Sequence, residues 1–546
     1  LTFVNRILTT APHCSWRLDV VLLLIVTAVA AVPRLALLGD IPPGLHGDEA
    51  IAGLEARRIL DGENIGPYSF QALGVPAGTF YWTAGVFAVL GESAVTLRLA
   101  FALLGIAGVT VSYLAFRVMF TRTVAFLSAL LLALSAWHLH YSRVAFIPIG
   151  WPLAEMATLL LFFLALRRRS RILFALAGLA LGAGVYTYQA FPVFAVALGI
   201  VVLWLAVFHY RRDLVRFTAQ IATMLGIALM VGLSMASFAR DHPDVFLGRY
   251  RNYSVTKTPE YKAADNLIER GRYIAARELD YIRSVISRPV VDGVDAAGVF
   301  PLVDRVTLGL LIVGGGIALW RLRSPPYIAV IILTVIIGLG PALASEGSYR
   351  RTLGLTPLLA AVAAMPLALL WDEARKYGIR STALATLVVA LTIGSIGAIN
   401  LSRYFSSYDD DPSVRWVYAA DMAETSRYVA KLPEDTYVYF YYDRASFNYE
   451  TRRFLAPEAQ GEDRSAEFGR DGFRLDHGRP QDVAYIFMGS YLDQAPNVEE
   501  LYPGGRRYTA LDSRGTVIFE SYVLSRSDET GVATPGAVPG ESLTGR

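Results

Sequence analysis

The chain has 546 residues, 54% of them hydrophobic and only 18% charged, with a formal net charge of +3 and a mean hydropathy of +0.42. That balance over this length excludes a soluble globular enzyme, and basic residues confined to short clusters between apolar runs exclude a nucleic-acid partner. A single cysteine, Cys14, rules out an intramolecular disulfide and a cysteine-ligated zinc.

The first apolar run, 18–38, follows Arg6 and Arg17. Its Ala28-Val29-Ala30 has the form of a signal-peptidase site, but about 20 apolar residues suit a bilayer span better than a signal core. Next comes GLHGDEAIAG, which sets Asp48 and Glu49 side by side at a predicted helix start after IPPG. The aromatic-rich run GTFYWTAGVFAVLG, 78–91, is short for a span and reads as a juxtamembrane or re-entrant helix. Further runs at 94–116, 123–139, 150–166, 172–188, 190–208, 217–238, 305–320, 326–344, 352–371 and 381–401 bring the predicted spans to about 11.

From about Ser413 the pattern changes. A helical period in SVRWVYAADMAETSRYVAKL precedes three strand-like runs, TYVYFYYD, DVAYIFMG and GTVIFESYVL. The last segment, SDETGVATPGAVPGESLTGR, has no apolar period and is expected to be disordered. The expected organisation is an α-helical polytopic membrane protein, residues 1–405, followed by a small C-terminal α/β domain, 406–525, and a tail, 526–546.

Charge orients the chain. With a cytoplasmic N-terminus and the 78–91 run not crossing, Arg117 and Arg122, the Arg167–Arg171 cluster, Arg211, Arg212 and Arg216, Arg321 and Arg323, and Arg375, Lys376 and Arg380 all fall on the cytoplasmic side. The loops 39–93 and 239–304 and the C-terminal domain then lie outside. The expected location is the cytoplasmic membrane.

On this outer face Asp48 and Glu49 admit two readings. They open a helix, Asp48 as its cap and Glu49 favouring the dipole, or they are held at the interface for chemistry by the Pro42-Pro43 approach and the FYW run. The same face carries Arg143, Arg350, Arg351, Arg249 and Arg251. Each alone is read as a headgroup contact; together with a carboxylate pair they describe a lipid-phosphate site. His46 orients Asp48 or is a solvated loop residue, while His138 and His140, two apart, do not share a helical face and are no metal pair. Tyr186, Tyr188 and Gln189 line a donor groove or form an aromatic belt, and Glu155, a turn or so inside a span where an acid is costly unless paired, is a further site candidate.

Taken in order, GDEA after the first span, SRVAFIPIGWPLAEMATLLLFFLAL, GAGVYTYQAFPV, HPDVFLGRYRNYSV and YRRTLGLTPLLA resemble the corresponding blocks of membrane glycosyltransferases with the C-type fold. The nearest group is the protein O-mannosyltransferase and lipid A aminoarabinose transferase-like family, and the resemblance runs over roughly residues 18–405. It implies a donor sugar on a polyprenyl phosphate, Asp48 as catalytic acid/base with Glu49 its neighbour, and Arg143 as a donor-phosphate ligand. Members often carry an acidic residue a few positions after the arginine of the SR block. Here none precedes Glu155, which leaves a metal site or second carboxylate there unsupported.

The residue inventory agrees with that chemistry. A phosphate leaves as a stable anion, so cations and one base suffice, whereas a glycosidase needs two carboxylates. The expected function is inverting transfer of a sugar from a polyprenyl-phosphate carrier to an acceptor hydroxyl of a protein, lipid or glycan. No cofactor is required, and a divalent metal is compatible but not indicated. The alternatives are a multi-span transporter or lipid flippase, and a membrane sensor. A transporter is expected to show midplane polar residues and a repeat, and neither is seen; a sensor leaves the spans and the acidic loop unexplained.

Overall fold

The computed structural model describes residues 16–71, 74–287, 301–344, 349–410, 412–467, 473, 482–512 and 514–525; the segment expected to be disordered lies outside them. The chain forms two compact units. One comprises Leu1–Pro43 and Ile51–Tyr418, the other Gly44–Ala50 together with Ala419–Arg546.

The first unit is helical. Helix α1 (Trp16–Leu35) is followed, after the start of α2 (Gly47–Leu60), by α3 (Gly78–Leu90), α4 (Ala94–Met119), α5 (Arg122–Ala133), α6 (Ala136–Arg143), α7 (Gly150–Arg168), α8 (Arg171–Gly184), α9 (Phe191–Phe208) and α10 (Leu214–Asp241). The polar helices α11 (Pro243–Asn252) and α12 (Leu267–Ser287) precede α13 (Arg305–Trp320), α14 (Pro325–Gly338), α15 (Leu355–Ala374) and α16 (Ile379–Asp410). Among the helices of spanning length the best buried are α4, α7 and α15, with α4 packed on α7 and α7 on α8.

Each expected span is a helix, but not each is of spanning length. Among the described residues seven helices are long and apolar enough to cross a bilayer, or eight if α5 and α6 count as one span. The expected spans at 172–188, 305–320 and 326–344 are helices of 14, 16 and 14 residues. At 1.5 Å per residue these reach about 21–24 Å against a hydrocarbon core of about 30 Å. The expected straight span at 123–139 bends by 56° between α5 and α6. Ser135 starts the new axis by accepting the His138 N–H at 3.5 Å, and all eight residues of α6 are buried.

The second unit is a five-stranded mixed sheet in the order β4-β3-β5-β7-β6, built from β3 (Tyr437–Tyr441), β4 (Gln460–Asp463), β5 (Val483–Met488), β6 (Arg506–Leu511) and β7 (Val517–Leu524); the two-residue strands β1 (Tyr68–Ser69) and β2 (Val75–Pro76) form a separate hairpin in the first unit. Strand β3 runs parallel to β4 and β5, and β7 antiparallel to β5 and β6. One sheet face packs Val438, Phe440 and Ile486 against Met422 and Val429 of α17 (Ala420–Val429), and the other packs Tyr439, Tyr485 and Phe487 against Ala495 and Val498. Both faces are covered, which is why the three central strands read as apolar runs. The single helix expected over 413–432 is broken at Ala419, whose φ of 48° cannot continue a right-handed helix. The two units divide at the same residue.

Candidate functional site

The acidic turn is built by its neighbours. Helix α2 begins at Gly47, so His46 holds the capping position, Asp48 the second helical position and Glu49 the third. The Asp48 N–H donates to His46 Nδ1 at 3.0 Å, and the His46 N–H donates to Glu49 Oε2 at 3.1 Å. This is the reciprocal pattern of a capping box, with an imidazole in place of the usual hydroxyl. The cap therefore falls to His46 and Glu49 rather than to Asp48. Glu49 is fully buried, whereas Asp48 is half-buried.

The chain reaches this turn through a segment held by two arginines. Arg143, at the end of α6, is fully buried. Its Nη1 donates to the carbonyls of Pro33 and Ala36 at 2.6 Å each, and its Nη2 to those of Leu37 and Ile41 at 3.0 and 2.9 Å. Arg98 of α4 donates to the Pro42 carbonyl at 2.8 Å. The last carbonyls of a helix have no partner within it, and the fork of donors on a guanidinium meets several at once. The structure thus gives Arg143 a different task from the expected phosphate contact: it fastens the end of α1 and the turn after it. Behind it Arg34 donates to Ser142 Oγ at 3.1 Å and pairs with His138 Nδ1 at 2.9 Å, so His138 belongs to a structural network.

The other candidates gather within the helical unit. Arg350 and Arg351 lie on a 3₁₀ turn, Tyr349–Thr352, just before α15. The Arg350 guanidinium carbon stands 5.4 Å from the ring centre of Phe146, and that of Arg351 5.1 Å from Tyr253. Both arginines are half-buried. Tyr253 follows α11, four residues after Arg249 and on the same face. Arg249 is close enough to act on Tyr68, whose phenol is pushed up by burial and drawn partly back by that positive charge. From the same helix the Tyr250 hydroxyl donates to the Gln189 carbonyl, while the Gln189 side-chain oxygen is buried with no hydrogen-bond partner among the described residues.

Glu155 completes this group. It is fully buried in α7, and both carboxylate oxygens lack a hydrogen-bond partner among the described residues. Its carboxyl and the Trp151 indole converge on Gly354, where a Cβ would stand 2.5 Å from Glu155 Oε2 and 2.7 Å from Trp151 Nε1. The indole stacks on Tyr188 at 6.2 Å between ring centres. The bare Cα of Gly354 thus leaves the space into which this acid projects, three residues after Arg351.

Sequence reasoning missed Arg98 and Arg34, which look like further interfacial arginines until their partners are known. It also missed Tyr449 and Thr451, which pack on the acidic turn within the second unit. No local pattern marks either of them.

The family model described as dolichyl-phosphate-mannose-protein mannosyltransferase matches residues 75–235, a stretch that holds two of the five sequence blocks. No curated protein sequence matches the chain. Among solved structures, ArnT from Cupriavidus metallidurans bound to undecaprenyl phosphate superposes with a TM-score of 0.58 at 13% identity, over 94% of this chain and 99% of its own. The oligosaccharyltransferase AglB from Archaeoglobus fulgidus, in complex with an inhibitory peptide and a dolichol-phosphate, gives 0.51 at 16% identity, over 93% of this chain and 74% of its own. At these identities the structural likeness is one of fold. The family match thus lies inside a fold that the chain shares, along more than nine-tenths of its length, with these C-type membrane glycosyltransferases.

Proposed function

We propose that the enzyme transfers a sugar from a polyprenyl-phosphate carrier to an acceptor hydroxyl on the outer face of the cytoplasmic membrane, inverting the anomeric centre. The observation that carries this reading is the pair of stacked arginines. A guanidinium with a ring beneath it directs its N–H groups along its own plane, the geometry a phosphate accepts in bidentate fashion. Arg350 over Phe146 and Arg351 over Tyr253 supply that geometry twice, and Arg249 on the helix before Tyr253 adds a third cation. The polyprenyl phosphates named with ArnT and AglB support the carrier class.

In the proposed reaction the acceptor oxygen attacks the anomeric carbon as the bond from that carbon to the phosphate oxygen breaks. The electron pair leaves with the polyprenyl phosphate, where the arginines stabilise it, and Asp48 takes the hydroxyl proton. Tyr188, Gln189 and Glu155 line the donor side, and no cofactor enters. The test is purified enzyme in vesicles holding a labelled polyprenyl-phosphate sugar and a hydroxyl acceptor. Free polyprenyl phosphate released in step with glycosylated acceptor is the expected result; intact lipid-linked sugar moving between leaflets without cleavage would replace this reading by a flippase.

A further inference from the structure

Residues 44–50 belong to one compact unit with the C-terminal domain, although more than 350 residues lie between them in the chain. The contacts are specific. The buried Thr451 hydroxyl donates to the Leu45 carbonyl at 2.8 Å. The Tyr449 hydroxyl lies so close to Gly47 that a Cβ there would be 2.8 Å from it, and it accepts the Gly47 N–H. Both residues sit at the head of α18 (Glu450–Leu455), which is itself pinned. The Arg452 guanidinium lies over Phe447 and donates to the Phe447 carbonyl at 2.7 Å, to Asn448 Oδ1 at 3.1 Å and to the Ala456 carbonyl at 3.2 Å.

We propose that the C-terminal domain is a positioning element of the catalytic centre, with Tyr449 and Thr451 fixing the turn that carries Asp48. The inference rests on the reading of Asp48 as the base. Three consecutive parts of the turn are held: the Leu45 carbonyl by Thr451, the Gly47 main chain by Tyr449, and the His46 N–H by Glu49. Those three contacts hold the main chain leading into Asp48, and so the position from which its carboxyl projects. The charges around the Tyr449 ring are Glu450, Arg444 and Asp48 itself. Burial first, then Glu450 and Asp48, push its phenol up, so it stays a neutral hydroxyl and adds no charge beside the base. Gly47 is required because any side chain would meet the Tyr449 oxygen.

The experiment separates positioning from folding and from the choice of base. Thr451→Val keeps the shape and removes the hydrogen bond, and is expected to lower kcat about tenfold while leaving the donor KM unchanged; Thr451→Ser should restore most of the loss. Gly47→Ala should lose more, because displacement of a catalytic group by about 1 Å costs on the order of 100-fold. Gly47→Ala combined with Tyr449→Phe should recover part of that activity, since the obstructing oxygen is gone. Each variant is compared with Asp48→Asn in the same vesicles. If Asp48→Asn is inactive while Thr451→Val and Gly47→Ala turn over normally, the positioning inference falls and the proposed function stands. If Asp48→Asn itself turns over normally, the positioning inference falls together with the assignment of Asp48 as base, while the transfer reaction stands. Equal loss in Gly47→Ala with and without Tyr449→Phe would also overturn the positioning role.

Discussion

The main-chain N–H of His46 donates to Glu49, and the His46 ring accepts the N–H of Asp48, so His46 and Glu49 together close the start of α2 around Asp48. An Nδ1 that accepts a main-chain N–H is unprotonated, which places the neutral ring's proton on Nε2. Adjacent helical residues point about 100° apart, and here one acid turns inward to the cap while the other stays half-buried.

This division gives the two acids different signatures. Asp48→Asn should lower turnover by about 10²–10⁴-fold, the usual worth of general-base catalysis, without disturbing donor binding. Glu49→Gln keeps an acceptor for the His46 N–H and should change turnover much less, whereas Glu49→Ala should destabilise the protein by about 1 kcal/mol, as lost caps do. Steady-state kinetics and thermal unfolding of the three variants check this. Near-normal transfer by Asp48→Asn would direct the search for the base to Glu49 and Glu155.

Arg350 and Arg351 should reveal themselves through the donor alone. Charge-assisted hydrogen bonds contribute about 1.5–3 kcal/mol, so Arg350→Ala or Arg351→Ala should raise the donor KM at least tenfold with little change for the acceptor. Lysine restores the charge but not the planar fork, so its rescue should be partial. Unchanged donor KM in both alanine variants would remove the pair from the phosphate site.

Arg143 should behave in the opposite way. Arg143→Ala strands the carbonyls of Pro33, Ala36 and Ile41, while that of Leu37 keeps the Ile41 N–H, and should cost at least about 3 kcal/mol, read as a lowered unfolding temperature in detergent. Lysine has three donors on one atom and should not replace it. A raised donor KM with unchanged unfolding would return Arg143 to the phosphate site.

The threading predicted from charge can be tested with single cysteines in a Cys14→Ser background. Ser170→Cys, between α7 and α8, should be shielded from an impermeant thiol reagent in intact cells, and Ser490→Cys, exposed in the C-terminal domain, should react. The reverse pattern would place the acidic turn on the cytoplasmic side.

How much of this was legible depended on whether a signal is local. Apolar runs located the apolar helices of the first unit, because lipid and core both select for them, but did not mark the polar α11 and α12 and could not show that three of the apolar helices stop short of spanning length. Strands β3, β5 and β7, buried on both faces, stood out; β4 and β6 at the sheet edges, with QGED and the mostly exposed RRYTAL, did not, since an edge strand carries charge where a central one carries apolar residues. For the proposed site, type and spacing put forward Asp48, Glu49, Arg350 and Arg351. They could not distinguish Arg143, because a guanidinium facing carbonyls and one facing phosphate are the same letter. Nor could they pair Leu45 with Thr451.

That last pair has a consequence for biosynthesis. Leu45 and Thr451 are 406 residues apart, and a ribosome adding about 5–20 residues per second needs roughly 20–80 s to cover that distance. During that interval the first span is inserted and the acidic turn is already made, but its fastening does not yet exist. On the proposed reading a nascent chain therefore carries its acid in an unassembled turn, and Asp48 gains its fixed position only when Tyr449 and Thr451 have emerged and folded. Premature termination before Tyr449 would, on the same reading, leave that turn unfastened.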